Sequence, residues 1–189
     1  MLKDKEIAFL GSYAANTEIV PEIIDRLKID LSKMKYSKEE IFEIVISMDE
    51  TISNAIQATI ENTKNLPELL YIIIRYAVSE TEFDATIIDH GTGFDFSQTL
   101  TMIPDSKSDN YHDQVMSYTI STEKLQSSIK INGREISLRG IGAGLKIILN
   151  FMDSVSIEYM DKKEIIASSV SESTDGTILN IKRKRRIFN

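Results

Sequence analysis

The chain has no cysteine, only three prolines and only two histidines, His90 and His112, in 189 residues. Without cysteine there is no disulfide framework and no thiolate metal site, and two histidines argue against a histidine-rich zinc centre. Carboxylate and phosphate chemistry is what remains. Long apolar runs are also missing. The longest are strand-length, such as Leu69-Leu70-Tyr71-Ile72-Ile73-Ile74, against the roughly 20 residues a membrane-spanning helix needs. The first residues lack a signal-peptide pattern. A cytoplasmic protein with no membrane span is expected.

An excess of positive charge is absent too: 22 Lys and Arg face 29 Asp and Glu, a net charge of −7, which argues against direct nucleic-acid binding. Lys182-Arg183-Lys184-Arg185-Arg186 runs the other way. Such a run suits an acidic partner, an anionic lipid surface or a phosphate backbone; as a charge run it also fits a solvated strand end. No repeat, low-complexity tract or Pro/Gly/Ser-rich linker interrupts the chain, and 42% hydrophobic residues can fill one good core. One domain over 1–189 is expected.

An amphipathic segment, Thr17 to Met34, precedes Ser37-Lys38-Glu39-Glu40, a capping-box pattern that opens a helix over about 38–60. On that helix Ile41, Ile44, Val45, Met48, Ile52, Ala55 and Ile56 recur at three- and four-residue spacing, which predicts a core-facing stripe. The opposite stripe holds Glu43, Ser47, Glu50, Asn54 and Gln57. Taken alone it reads as an ordinary wet face, on which Glu50 and Asn54, four apart, project side by side.

Strand-like runs follow over Leu69–Val78 and Glu82–Ile88, the second ending in Asp89-His90-Gly91-Thr92-Gly93-Phe94. A long polar excursion covers 94–139. Inside it Asn132-Gly133, between two alternating arms, predicts a small hairpin. A helix through Asn150 and three strand candidates, Ser154–Met160, Glu164–Ser171 and Thr177–Arg183, complete the order as an antiparallel meander. The pattern predicts an α/β two-layer sandwich with helices on one face of the sheet.

Six of the eight glycines, Gly91, Gly93, Gly140, Gly142, Gly144 and Gly176, stand beside an acidic strand end, at a helix start or before a strand. A glycine-rich lead-in to a helix N-terminus lets a phosphate chain approach unpaired amides. Neither a P-loop nor the strand-preceded glycine pattern of a dinucleotide-binding unit is present, and the lysine, H-R-D and D-F-G set of eukaryotic-type kinases is missing.

Glu50-x-x-x-Asn54-Ala55, Asp89-x-Gly91-x-Gly93 and Gly142-x-Gly144-Leu145 together resemble the N, G1 and G2 boxes of the GHKL ATPases. Within that superfamily the likeness is to the anti-sigma-factor serine kinases of bacterial sporulation and stress control. It lies in SKEEIFEIVISMDETISNAIQ, IIDHGTGF and GAGLKIILNFMDSVSIEY, with the late Gly176-Thr177 pair, and spans about 15–183. Ala58 stands where these kinases often carry histidine, the 94–139 segment exceeds their usual lid, and Arg139 is offset from the family's arginine before the G2 glycines.

The resemblance implies a Bergerat-type fold with a mostly antiparallel mixed sheet, and a lid over 94–139. It implies ATP and Mg²⁺ as ligands, with Asn54 holding the metal and Glu50 orienting or deprotonating the attacking group. Asp89 would accept a hydrogen bond from the adenine amino group beside Thr177. Gly91 and Gly93 would open the lid, Gly140 would close it, and Gly142, Gly144 and the Leu145 amide would meet the phosphates. The implied function is a serine/threonine protein kinase acting on an anti-anti-sigma (STAS-type) protein and controlling a sigma factor, as a homodimer. Two other readings stand beside it: a non-catalytic, ATP-gated partner-binding module, and a histidine-kinase catalytic domain or gyrase-like ATPase head. The third fits poorly, since the residues before the entry helix leave no room for a dimerisation hairpin and nothing after the last strand suggests a transducer.

Overall fold

The computed structural model describes residues 5–63, 70–92, 128–131, 134–137, 143–161, 166–167 and 173–186. Six strands form one sheet in the order β1-β2-β3-β8-β6-β7: β1 Glu6–Ala14, β2 Tyr71–Ser79, β3 Glu82–Asp89, β8 Thr174–Lys184, β6 Ser154–Asp161 and β7 Ile166–Ala167. Each neighbouring pair is antiparallel. Three helices, α1 Ile19–Lys33, α2 Lys38–Asn62 and α3 Ala143–Phe151, and a separate two-stranded sheet, β4 Ser128–Ile131 with β5 Arg134–Ser137, complete the described elements.

The sandwich follows from two periodicities. In β2 the residues Ile72, Ile74, Tyr76 and Val78 alternate inward, and in β3 Phe83, Ala85 and Ile87 do the same. Period-two alternation gives each strand one apolar face. Against that face lie Ile44, Met48, Ile52 and Ile56 of α2 and Ile23, Leu27 and Leu31 of α1, at the three- and four-residue spacing of a helix stripe. The outward face of the central strands is polar and paired: Arg75 meets Asp84 at 2.8 Å and Thr86 donates to Asn180 at 2.8 Å.

α2 opens where the capping box places it. Ser37 Oγ accepts from the Glu40 N–H at 3.2 Å, and the Glu40 carboxylate accepts from the Ser37 N–H at 2.9 Å. Two orphan amides are satisfied at once.

Three expectations are corrected. The chain's first element is a strand, β1, paired with β2 from Glu6↔Ser79 to Ala14↔Tyr71, ahead of the amphipathic segment Thr17 to Met34 with which the sequence reading begins. Burial alternates along it, with Phe9 inward and Leu10 outward, but the exposed Leu10 and the small residues around it hide that alternation in the sequence. The last three strands are not a meander: β8 inserts between β3 and β6, and β7 is left outside β6. Hydrogen-bonding β8 to two neighbours buries Ile181 fully. Finally, the polar stripe of α2 is not a wet face throughout, since Glu43 and Ser47 are wholly buried while Asn54 and Gln57 are exposed.

The hairpin expected around Asn132-Gly133 is present as β4 Ser128–Ile131 paired with β5 Arg134–Ser137, register Ile131↔Arg134. The rest of the 94–139 excursion, including His112, lies outside the described residues.

Candidate functional site

One face of α2 organises the site. Glu50, Asn54 and Ala58 stand on successive turns, so they form a row about 12 Å long at roughly 1.5 Å rise per residue. At one end of the row is the start of α3. A Cβ on Gly144 would overlap the Glu50 carboxylate and lie 3.2 Å from Asn54 Nδ2. With a Cβ there, the Glu50 carboxylate would have to swing aside for α3 to keep this approach. At the other end is the turn after β3, where a Cβ on Gly91 would come within 2.8 Å of the Ala58 methyl. The acidic strand end and the glycine-led helix are thus brought onto the same helix face, two turns apart.

Asp89 closes β3 and is only 6% exposed. Its Oδ1 accepts the Gly91 N–H at 2.7 Å, and its Oδ2 accepts the Thr177 hydroxyl from β8, the strand directly paired with it at Asp89↔Thr177. Burial pushes its carboxyl above the usual carboxylate value, while the bonds from Thr177 and Gly91 pull the other way without cancelling it. Each carboxylate oxygen has a second acceptor site to spare. The group is therefore a buried acceptor aimed from a strand end, with a hydroxyl at its side.

Two further residues fix this turn on α2, and sequence reasoning missed both. Thr59 Oγ1 accepts the His90 N–H at 3.1 Å, and Asn62 Nδ2 donates to the His90 carbonyl at 2.7 Å. The signal was a polar pair, three apart, in the last turn of α2. His90 itself packs edge-on against Tyr71 at 4.7 Å between ring centroids.

Glu50 is half-buried, and its carboxyl is raised above the usual value first by burial and then by the charge of Asp49. It sits against the first turn of α3. Amides at a helix start lack intrahelical partners and carry partial positive charge, so the Gly144 and Leu145 positions offer an anion surface beside a carboxylate and an exposed amide. Of the ten residues singled out from sequence, Glu50, Asn54, Asp89, Gly91, Gly144 and Thr177 fall into this row or its ends. Leu145 lies in the backbone of α3. Gly93, Gly140 and Gly142 lie outside the described residues.

The basic run 182–186 is neither a solvated end nor an open patch throughout. Arg183 is 2% exposed, and its guanidinium bonds the buried Glu43 at 2.5 Å. Arg186 reaches the other oxygen of Glu43 at 3.1 Å. Arg185 donates to the Lys35 carbonyl at 2.7 Å and to the Glu80 carbonyl at 3.2 Å. Lys182 and Lys184 alone remain exposed, since alternation in β8 points them away from the helices.

No family model matches the chain. It is similar to the serine-protein kinase RsbW of Bacillus subtilis (strain 168), 30% identical over 82 residues that make up 41% of this chain and 49% of RsbW. The matched stretch thus spans about half the length of that relative. In fold it is similar to a chain in the crystal structure of the SiaB-SiaC complex from Pseudomonas aeruginosa, with a TM-score of 0.51, 12% identity, and coverage of 94% of this chain and 89% of that one. The likeness to bacterial serine kinases read from the sequence is therefore found again in part of a relative named as a serine-protein kinase, and the α/β sandwich in a solved fold.

Proposed function

We propose that the chain is an ATP-dependent serine/threonine protein kinase of the anti-sigma type, a single catalytic domain that phosphorylates a hydroxyl on an anti-anti-sigma (STAS-type) partner and holds a sigma factor in alternation with it. The carrying observation is the α2 row: one helix face presents Glu50 and Asn54 beneath Gly144 and Ala58 beneath Gly91. A buried acceptor at one end and an anion surface at the other suit the two ends of a nucleotide.

In this reading Asp89 accepts the adenine amino hydrogen, with Thr177 holding the carboxylate in place. The amides that begin α3 face the phosphates. Asn54 offers a hard carbonyl oxygen of the kind Mg²⁺ accepts, and the bound metal supplies charge neutralisation on the phosphate oxygens. Glu50 orients the acceptor hydroxyl by accepting its hydrogen bond. Its raised pKa brings it closer to the range in which a carboxylate also takes the proton as transfer proceeds. Positioning and electrostatics provide most of the acceleration in phosphoryl transfer, so this small set of groups suffices. The sheet face away from the helices, where Leu10 is 72% exposed, suits pairing with a second copy.

The test is incubation of the purified chain with Mg²⁺, γ-labelled ATP and recombinant STAS-type proteins. Label on a partner serine or threonine, reduced at least 100-fold by Glu50→Ala, is the expected result. Tight nucleotide binding with no transfer to any partner would instead favour the second reading, an ATP-gated binding module. That alternative draws on the length of the 94–139 segment, more than nucleotide binding needs. Under it, Asn54→Ala weakens partner binding and Glu50→Ala leaves it intact.

A further inference from the structure

A cleft of about 440 Å³ lies between α1 and α2, beside the α2 row. Its floor is Val20, Pro21 and Ile24 of α1, and its rims carry Asp25 and Lys28 on one side and Asp49 on the other. Asp25 is neutralised by Lys28, 3.0 Å away. Asp49 is exposed and accepts only a long bond from Ser53 Oγ, at 3.3 Å; among the described residues it has no ion pair.

Position makes this cleft relevant to the reaction. Asp49 and Ser53 line it, and each immediately precedes a residue of the row, Glu50 and Asn54. Consecutive helix residues point about 100° apart, so the cleft and the row flank one another along the same two turns of α2. A peptide lying in the cleft and crossing α2 near Ser53 arrives at Glu50.

We infer that this cleft docks the acceptor-bearing segment of a protein substrate, seating a small apolar side chain on Val20 and Ile24 and a lysine or arginine against Asp49. Charge complementarity selects that occupant. The lining carries two carboxylates against one ammonium, on a chain of net charge −7, and a like charge set beside Asp49 would be rejected. The inference rests on the reading of the row as a site of transfer to a protein hydroxyl.

Because the chain has no cysteine, Thr17→Cys at the cleft gives a single attachment point for an environment-sensitive fluorophore. The labelled full chain is titrated with Leu-Ala-Arg-Ser and Leu-Ala-Glu-Ser peptides, and its Mg²⁺-ATP affinity is measured in parallel by calorimetry. The arginine peptide should bind at least about tenfold more tightly, as expected of a close charge pair against a like-charge clash. Asp49→Lys should abolish or reverse that preference in a protein that still binds Mg²⁺-ATP. Equal affinity of the two peptides, a preference that survives Asp49→Lys, or no binding of either at millimolar concentration would overturn the inference. So would a label response to protein concentration alone, which would make a second copy the occupant. A lost nucleotide affinity in the parental protein alongside an intact peptide preference would defeat the kinase reading and leave the cleft standing.

Discussion

Asp89 is a carboxylate that the fold holds under protest: burial raises its pKa, and two donated hydrogen bonds only partly offset that cost. A carboxyl whose folded pKa lies above its unfolded value stabilises the fold below the unfolded pKa, and that contribution is lost as pH rises through the folded one. At pH 7 the ionised group is therefore a net cost to stability. Asp89→Asn should leave the protein as stable as the parent or more so at pH 7, by thermal unfolding. It should also weaken ATP binding at least tenfold, or about 1.4 kcal/mol, because a donor replaces the acceptor the adenine amino group needs. In the parent, ATP affinity should fall on acidification at a higher pH than an ordinary aspartate would give. Gly144→Ala makes a second test at this scale. Alanine favours a helix over glycine by about 1 kcal/mol, yet here its methyl would displace Glu50. The variant should lose transfer activity, and adding Glu50→Ala should recover stability beyond the sum of the two single changes, measured as a double-mutant cycle.

At the scale of elements, α2 is held at its start by the Ser37 capping box and along its polar face by the Glu43–Arg183 pair from β8. Removing the cap with Ser37→Ala should cost about 1 kcal/mol in denaturant unfolding. Arg183→Ala should cost about 3–5 kcal/mol, since it removes a buried guanidinium paired with the fully buried Glu43 carboxylate. Arg183→Met paired with Glu43→Leu should recover most of that loss. The cap was legible because its geometry is local: Ser and Glu three apart meet whenever a helix begins there. The ion pair was not, because its partners are 140 residues apart and each resembled a surface charge. Glu43 and Ser47 read as a wet face for the same reason. A periodicity shows which residues share a face; it does not show that another strand end will cover it.

For the whole molecule, the layers and most strand positions were readable from alternation and helix stripes, while the place of β8 was not. Both the β6-β7-β8 meander and the observed β3-β8-β6 order satisfy the same hydrophobic pattern. The choice is settled by pairing, which sets Thr177 opposite Asp89 and so builds one end of the site from two strands distant in sequence. The other end follows from α3 meeting α2 at Gly144. Calorimetric titration of the purified chain with ATP and with GTP, in Mg²⁺, tests this arrangement most directly. Guanine carries a carbonyl where adenine carries its amino group, and a carboxylate facing that carbonyl repels it. ATP should bind at least about 100-fold more tightly than GTP, consistent with a site left with a buried unpaired acceptor, and Asp89→Asn should erase the difference. Equal affinities for the two nucleotides, or a preference for ATP that Asp89→Asn leaves untouched, would contradict the account.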